Sequence, residues 1–381
     1  MQRTIFGEDH HAFRASAKQY ADRSLVPRME QFLEQKTIER AVWLEAGKQG
    51  FLGLDVPEEY GGSSVGDYRF NAIFAEEVSK VSASLSSCFG IHYDCAAPYL
   101  VDLGTEEQKR RWLPRMATGE LIGAIAMTEP GGGSDLKALR TTAIRDGDHY
   151  RLNGAKTFIS NGATADIIVL VVKTDPAAAS IHGISLLVLE TADAAGFKVG
   201  KNLKKVGMKS ADTVELFFDD VRVPVANLLG EEGKGFSYSM AQLAWERLII
   251  AVLGIAALER AVEETVAYTK QRRVFGQALL DMQNTRFELA ECATIAHVAR
   301  VFVDSCVDRH MRGELDPAAA SMAKYWVTDM QCQVVDRCVQ LFGGYGYMLE
   351  YPIAQMFVDG RAQRIYGGAN EIMKELIARS L

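Results

Sequence analysis

One pair of opposite charges stands at the start of the longest apolar run in the chain, an arrangement that suits acid–base chemistry. Trp245-Glu246-Arg247 leads directly into the apolar residues 248–258. Because this run is apolar nearly all round, it predicts a buried helix. A carboxylate beside such a helix is desolvated, which raises its pKa toward neutrality and suits a general base. An exposed charge pair or a structural ion pair is the alternative interpretation.

Two further segments could hold a flat ring or an anion. In Met127-Thr-Glu-Pro-Gly-Gly-Gly-Ser-Asp135, three glycines let backbone amides approach a ligand closely, and Thr128 and Ser134 add hydroxyl groups. The segment is neither a dinucleotide-binding GxGxxG motif nor a Walker loop. Phe158 and Ser160 are two residues apart, so on a regular strand they would share a face and could cover a ring and bond its edge. The alternatives are a loop entering a sheet and a core phenylalanine beside a turn.

Three glycine- or arginine-rich segments follow in the C-terminal part. The adjacent arginines of Lys270-Gln-Arg-Arg-Val-Phe-Gly276 could grip a phosphate. Residues 340–347 and 365–372 are glycine-rich turns bordered by aromatic residues, and the second opens a helix whose free N–H groups suit an anion. Taken separately, these segments are also compatible with a solvated helix end and with ordinary caps and turns.

The composition limits the class of protein. A chain of 381 residues with 48% hydrophobic and 24% charged residues is typical of a soluble protein of two or three domains. Its net charge of −7 argues against a nucleic-acid partner. Its six cysteines form no CxxC pair and no zinc-type cluster, so we expect no metal site and a reducing compartment.

The sequence also predicts where the protein resides. The N-terminus lacks the apolar stretch of a signal peptide, and the C-terminus is not the peroxisomal Ser-Lys-Leu signal. The apolar run at 248–258 falls short of the roughly 20 residues that cross a bilayer. We therefore expect a cytoplasmic protein, most simply of a bacterial cytosol, with no integral membrane segment.

Three zones differ in their hydrophobic period. Residues 1–124 read as helices, 125–232 as short strands with turns, and 233–381 as long helices again, which predicts an α+β fold. Asn153-Gly154 predicts a hairpin turn, with Asp146-Gly147 as another turn. In the last zone we expect four helices, at about 236–271, 282–312, 316–342 and 370 to the end, with Asn370 as the final N-cap.

Together these segments resemble the acyl-CoA dehydrogenase family of flavoproteins over nearly the whole chain. Met-Thr-Glu-Pro-Gly-x-Gly-Ser-Asp and Arg-x-x-Phe-Gly are among its most specific motifs. The ending at 365–379 and Ser321-Met-Ala-Lys-Tyr-Trp326 look most like the long-chain branch. The resemblance implies an N-terminal helical domain, a middle antiparallel β-barrel or sandwich and a C-terminal four-helix bundle. It also implies FAD at a subunit interface, a homotetramer built as a dimer of dimers, and an electron-transferring flavoprotein as acceptor.

Carried over position by position, the resemblance assigns residues to the cofactor and the substrate. Residues 125–134 and 158–160 would surround the flavin ring. Arg272 and Gln283, together with residues 340–344, would hold the adenosine diphosphate part of a neighbouring subunit's FAD, and residues 369–371 would close the site. The cofactor residues are Ile125, Ala126, Met127, Thr128, Gly133, Ser134, Phe158, Ile159, Ser160, Arg272, Phe275, Gln283, Gln340, Leu341, Phe342, Gly343, Gly344, Ala369, Asn370 and Glu371. The substrate residues are Ser134, Ser237, Arg247, Gly367 and Gly368. Ala369 stands where relatives commonly have threonine.

The resemblance also bears on the base. Much of the family has a catalytic glutamate directly after the tyrosine at the position of Tyr366, where this chain has Gly367. The long-chain and isovaleryl branches take it from the bundle helix in a Glu-Arg-Leu context, which Glu246-Arg247-Leu248 matches. The resemblance thus implies that Glu246 takes the α-proton of an acyl-CoA, with the Gly367 N–H and a flavin ribityl hydroxyl on the thioester oxygen.

The expected reaction is α,β-dehydrogenation of a fatty acyl-CoA to trans-2-enoyl-CoA, with a long straight chain as the branch-level expectation. Branched or isoprenoid acyl groups remain an alternative. An acyl-CoA oxidase shares the first half-reaction, although the single bundle argues against most oxidases. A non-catalytic acyl-CoA-binding scaffold would be consistent with the missing glutamate after Tyr366.

Overall fold

The computed structural model describes residues 3–178 and 181–381 of the chain. Seven α-helices form the N-terminal part, and a π-helical turn at Ile91–Ala96 joins the fifth to the sixth. The helices are α1 (Glu8–Tyr20), α2 (Met29–Gln35), α3 (Arg40–Lys48), α4 (Arg69–Val81), α5 (Ala83–Gly90), α6 (Ala97–Leu103) and α7 (Glu106–Ala117). Ala17 and Tyr20 are buried, as the helical period of this region predicts.

The middle part is one eight-stranded sheet. Its strands are β1 (Gly123–Ala126), β2 (Thr142–Asp146), β3 (His149–Ser160), β4 (Ile167–Lys173), β5 (Ile184–Glu190), β6 (Phe197–Val199), β7 (Thr213–Pro224) and β8 (Leu228–Leu229). Their order is β6-β7-β3-β2-β4-β5-β8, with β1 paired to β4. Most pairs are antiparallel as expected, but β1 and one residue of β2 pair in parallel with β4.

The predicted hairpin at Asn153-Gly154 is wrong. Strand β3 runs straight through these residues and stays paired with β7, and the chain reverses at the other predicted turn, Asp146-Gly147, between β2 and β3. A register shift between β3 and β7 lies at this point. Gly154 has a φ of +140°, and a Cβ there would lie 2.6 Å from Thr141 Oγ1. The glycine therefore serves a β-bulge and a close approach rather than a turn.

The C-terminal part contains the three predicted long helices and two shorter ones. The elements are α8 (Gly235–Gln271), β9 (Arg273–Val274), β10 (Gln277–Ala278), α9 (Gln283–Met311), α10 (Pro317–Phe342), α11 (Pro352–Gln363) and α12 (Asn370–Ala378). The sequence analysis missed α11, which begins with a proline in its first turn and contains Gly360, packed against Gln331. Asn370 is not the N-cap of α12, because Ala369 occupies that position.

Helix α8 forms the centre of the bundle, and every residue of its apolar run 248–258 is buried. By length and composition alone α8 could cross a membrane, with a mean hydropathy of 1.6 over its most apolar window, but 76% of that window is buried inside the protein. Packing in the bundle core therefore accounts for its composition.

A buried ion network fastens the N-terminal part to the bundle. Glu76 on α4 bonds Arg300 on α9 over 2.6 Å and Arg3 over 2.8 Å, and Arg300 also bonds Glu259 on α8. Burial alone would raise the pKa of Glu76, but the surrounding guanidinium groups hold it well below its ordinary value. The network fixes α4 against α8 and α9, and α8 is the helix that carries Glu246.

Candidate active site

Glu246 lies on α8 with its side chain buried, at 9% exposure. Tyr99 Oη, from α6, donates a hydrogen bond to its Oε1 over 3.5 Å. Burial raises the pKa of Glu246 to about 7, although the Arg247 charge and the Tyr99 hydrogen bond act in the opposite direction. A carboxyl group that changes its protonation state near neutral pH can take and release a proton at little cost, as a general base must.

Arg247 does not form an ion pair with its neighbour. Its Nη1 donates to Ser321 Oγ on α10 over 3.5 Å, and among the described residues its Nε has no hydrogen-bond partner. Arg247 is 6% exposed, and burial lowers its pKa while the Glu246 charge acts to raise it. Because both residues are buried and their charged groups form no ion pair with each other, neither an exposed charge pair nor a structural ion pair describes Glu246 and Arg247.

The glycine segment, Gly367-Gly368, follows Tyr366 and lies against α8 near Glu246. Gly367 has a φ of +62°, and a Cβ there would overlap Ile250 Cδ1. Ile250 follows Glu246 by four residues, so the two share one helix face. Gly367 therefore has to lack a side chain, both for its backbone conformation and for its approach to α8. The structure thus brings together the predicted base and the predicted backbone donor.

Asn370 anchors the other end of this glycine segment. Its amide nitrogen donates to Tyr325 O, Thr328 Oγ1 and Asp329 Oδ1, all on α10. Its Oδ1 accepts a hydrogen bond from Lys324 over 2.8 Å. This buried asparagine therefore binds protein groups with its side chain, so only its backbone remains for a ligand.

The two segments predicted to surround a flavin ring are fastened to each other. The backbone N–H of Thr157 donates to Thr128 O over 2.9 Å. The fully buried Lys156 donates to Met127 O over 3.0 Å and to Glu129 Oε1 over 2.9 Å. Burial lowers the pKa of Lys156 to about 8, and Glu129 acts against this. Glu129 lies within the Met127–Asp135 motif but was assigned no role from the sequence, and no local signal singles out Lys156.

Phe158 extends from the end of β3 into solvent, with a φ of +59° and 68% of the side chain exposed. A register shift between β3 and β7 at residues 156–159 breaks the regular alternation, so the expectation that Phe158 and Ser160 share a face does not follow from strand geometry. Ser160 is half-buried, whereas Ala126 is fully buried and offers a ligand only its backbone.

A second part of the predicted cofactor site forms a groove at the far end of the bundle. Arg272 lies beside residues 340–344 in a cavity of about 480 Å³, which Tyr268 and Tyr345 also line. A Cβ on Gly343 or Gly344 would meet nothing within 4 Å, so the backbone there is open to a ligand. A cation beside an open glycine backbone suits a diphosphate, and an exposed aromatic such as Phe158 suits a flat ring, so these residues fit FAD.

Three of the predicted site residues lie outside the surroundings of Glu246, the two segments held together by Lys156, and the groove beside Arg272. Phe275 is 97% exposed and, like Gln283, does not line the groove. Ser237 is exposed, donates to Lys234 O, and lies nine residues before Glu246, on the opposite face of α8. In the described part of the chain, no cluster of histidine, cysteine, aspartate and glutamate is suited to a metal ion.

The chain is similar to known proteins along its whole length. Family models described as the N-terminal, middle and C-terminal domains of acyl-CoA dehydrogenase match residues 7–120, 124–221 and 233–381. The mitochondrial long-chain specific acyl-CoA dehydrogenase of Rattus norvegicus is 47% identical over 384 residues, which cover 100% of this chain and 88% of the relative.

Solved structures agree with this similarity. An acyl-CoA dehydrogenase from Geobacillus kaustophilus superposes with a TM-score of 0.97 at 46% identity, covering 100% of this chain and 99% of that one. An acyl-CoA dehydrogenase from Bacillus anthracis, complexed with FAD, has a TM-score of 0.91 at 31% identity and covers 100% and 69%. The matches confirm the resemblance and the three-part fold class that the sequence predicts.

Proposed function

The chain belongs to the acyl-CoA dehydrogenase family of FAD-dependent oxidoreductases, and from this premise we propose that it oxidises long-chain fatty acyl-CoA to trans-2-enoyl-CoA with Glu246 as the base. The observation that carries the proposal is the buried Glu246 carboxyl, which ionises near neutral pH on the helix face that Gly367 approaches. The identity to relatives named long-chain specific supports the chain length.

The residues divide the chemistry between them. The α-proton of a thioester is too weakly acidic for a carboxylate to remove unless the charge developing on the carbonyl oxygen is stabilised. The backbone N–H of Gly367 donates to that oxygen, while Glu246 takes the proton. Burial around the carboxylate excludes water and holds its basicity near the value that neutral pH requires. When bound, FAD accepts the two electrons together with the β-hydrogen.

The cofactor is held from two sides. The loop from Met127 to Ser134 and the end of β3 take the flavin ring, and residues 369–371 close the site. Arg272 and residues 340–344 take the adenosine diphosphate part of FAD bound mainly by a neighbouring subunit, with Phe275 and Gln283 at its edge. This sharing requires at least a dimer, and we propose a homotetramer built as a dimer of dimers.

We propose an electron-transferring flavoprotein as the physiological acceptor and the cytosol as the compartment. The oxidase alternative differs only in using oxygen, so hydrogen peroxide released in air distinguishes it. A non-catalytic scaffold would bind acyl-CoA without reducing its flavin, and the buried Glu246 argues against that alternative.

The test is a panel of acyl-CoA thioesters, added to the purified holoenzyme without oxygen and scored by bleaching of the flavin absorbance. Straight chains of 4 to about 20 carbons, with branched and isoprenoid chains beside them, cover the alternatives. We expect the fastest bleaching with straight chains of about 12 carbons or more. A holoenzyme that no acyl-CoA bleaches would refute the proposal, and a preference for short or branched chains would refute its substrate class.

A further inference from the structure

We propose that Lys324, a residue of the Ser321–Trp326 motif with no assigned role, positions the Gly367 N–H for the thioester oxygen. The inference rests on the proposed function, because it concerns the donor that function requires. Lys324 does not itself contact the reacting atoms, so it is a positioning residue.

The ammonium group of Lys324 binds the glycine segment directly. Its Nζ donates to Gly368 O over 2.6 Å and to Asn370 Oδ1 over 2.8 Å. The side chain is fully buried on α10. The ammonium group thus binds two points of one short segment. The first is the carbonyl of Gly368, the residue after the predicted donor, and the second is the side chain of Asn370, the first residue of α12.

Gly367 and Gly368 need such an anchor. Their φ values of +62° and +91° lie in a region that glycine reaches at no steric cost, but two adjacent glycines also have the largest backbone freedom. The Ile250 side chain packs against one side of the segment, and Lys324 fixes the other. Since a displacement of about 1 Å at a reacting group can lower the rate by about 100-fold, holding this backbone affects the chemistry directly.

The cost of burying this lysine suggests that it does more than stabilise the fold. Lys324 makes no ion pair among the described residues, and a buried charge without a counterion is unfavourable. Burial lowers the pKa of Lys324 to about 7; the nearby Arg247 and Arg364 charges lower it further, while Asp329 and Glu371 oppose them. An apolar residue would pack here at lower cost, yet only a donor can hold the Gly368 carbonyl.

The decisive variant is Lys324→Met, which keeps the approximate volume and removes the donor. The matched control is Val327→Ala, a fully buried site on the same helix whose side chain lies beside Gly254 of α8. Two ligands are compared in each holoenzyme. 3-Thiapalmitoyl-CoA has an acidified α-proton, and its deprotonated form gives a long-wavelength charge-transfer band with oxidised flavin. Hexadecyl-CoA thioether has no carbonyl oxygen and therefore cannot use the Gly367 N–H.

We expect Lys324→Met to reduce the charge-transfer band and kcat by about 10-fold or more, a fraction of the loss from removing an oxyanion donor outright. Affinity for the thioether should change less than about 3-fold, and Val327→Ala should leave both readouts near those of the wild type. Unchanged deprotonation in Lys324→Met would overturn the proposal, as would equal weakening of both ligands.

A second variant covers the case in which Lys324→Met fails to fold. Asn370→Ala removes the other group that Lys324 binds and leaves the bond to Gly368 in place, so we expect the charge-transfer band to fall by about 3-fold, and by more than the affinity for the thioether. An unchanged band in that variant would then refute the inference. Failure of the proposed function would give a different result, because the flavin of the wild-type holoenzyme would then not bleach with any acyl-CoA.

Discussion

Replacing Glu246 with glutamine should remove activity and at the same time stabilise the folded protein at alkaline pH. The change keeps the size of the side chain and its ability to accept a hydrogen bond from Tyr99, which lies 3.5 Å away. It removes only the proposed proton acceptor and the buried negative charge. We expect kcat to fall by at least about 100-fold with FAD still bound, because a general base contributes at least this much.

The effect on stability follows from the pKa of Glu246. Burial raises that pKa from 4.5 to about 7. Below pH 4.5 the carboxyl is protonated in both the folded and the unfolded chain, so it does not affect stability. As the pH rises from 4.5 to 7, only the unfolded chain ionises, and folding becomes less favourable. Above pH 7 the penalty is complete, and at about 1.4 kcal/mol per pKa unit it amounts to about 3 kcal/mol.

The assay compares thermal unfolding of wild-type and Glu246→Gln holoenzyme at pH 5 and pH 8, together with turnover of palmitoyl-CoA. The variant should melt at a higher temperature than the wild type at pH 8, and most of that difference should vanish at pH 5. Glu263→Gln, an exposed site on the same helix, is the matched control and should show neither effect. The reasoning is wrong if Glu246→Gln turns over at more than a tenth of the wild-type rate, or if it is less stable than wild type at pH 8.

Three further outcomes are expected. Glu76→Gln should destabilise the protein by about 3 kcal/mol at pH 7 in denaturant unfolding, since it removes the buried carboxylate charge that Arg3, Arg14 and Arg300 share; a loss below 1 kcal/mol would contradict this role. Tyr99→Phe removes a hydrogen bond that lowers the pKa of Glu246, so the acid limb of the kcat/KM profile should move to higher pH, and an unmoved limb would show that the contact is unimportant. Gly367→Glu in the Glu246→Gln background should restore activity only when Ile250→Ala is added, because Ile250 Cδ1 occupies the space of the new Cβ; rescue without that third change would refute the steric argument.

The elements that the sequence predicted correctly are those with strong local signals. The run 248–258 is apolar on every side, which requires burial wherever the helix lies, and the three long bundle helices follow from the same periodicity. Motif spacing also singled out the segments around Met127, Arg272 and Gly343, because glycine and arginine have local effects that do not depend on their neighbours. Their role in holding the cofactor stays a prediction.

The predictions that failed depended on distant partners. Asn153-Gly154 has the local chemistry of a turn, but pairing of β3 with β7 over 12 residues keeps the chain extended and converts the site to a bulge. Helix α11 contains Gly360, which weakens the local helical signal; packing against Gln331 on α10 explains why that position has no side chain.

The sequence by itself identified the residues whose chemistry suits a flavin-dependent dehydrogenation, and it placed Glu246 at the start of a buried apolar run. Only the tertiary structure decided what surrounds that carboxylate. Tyr99 comes from 147 residues earlier in the chain, and Lys324 reaches across 44 residues to Gly368. No local pattern encodes such contacts, since burial, pKa and hydrogen bonding depend on which helices pack together, and the packing follows from the apolar surfaces of all of them at once.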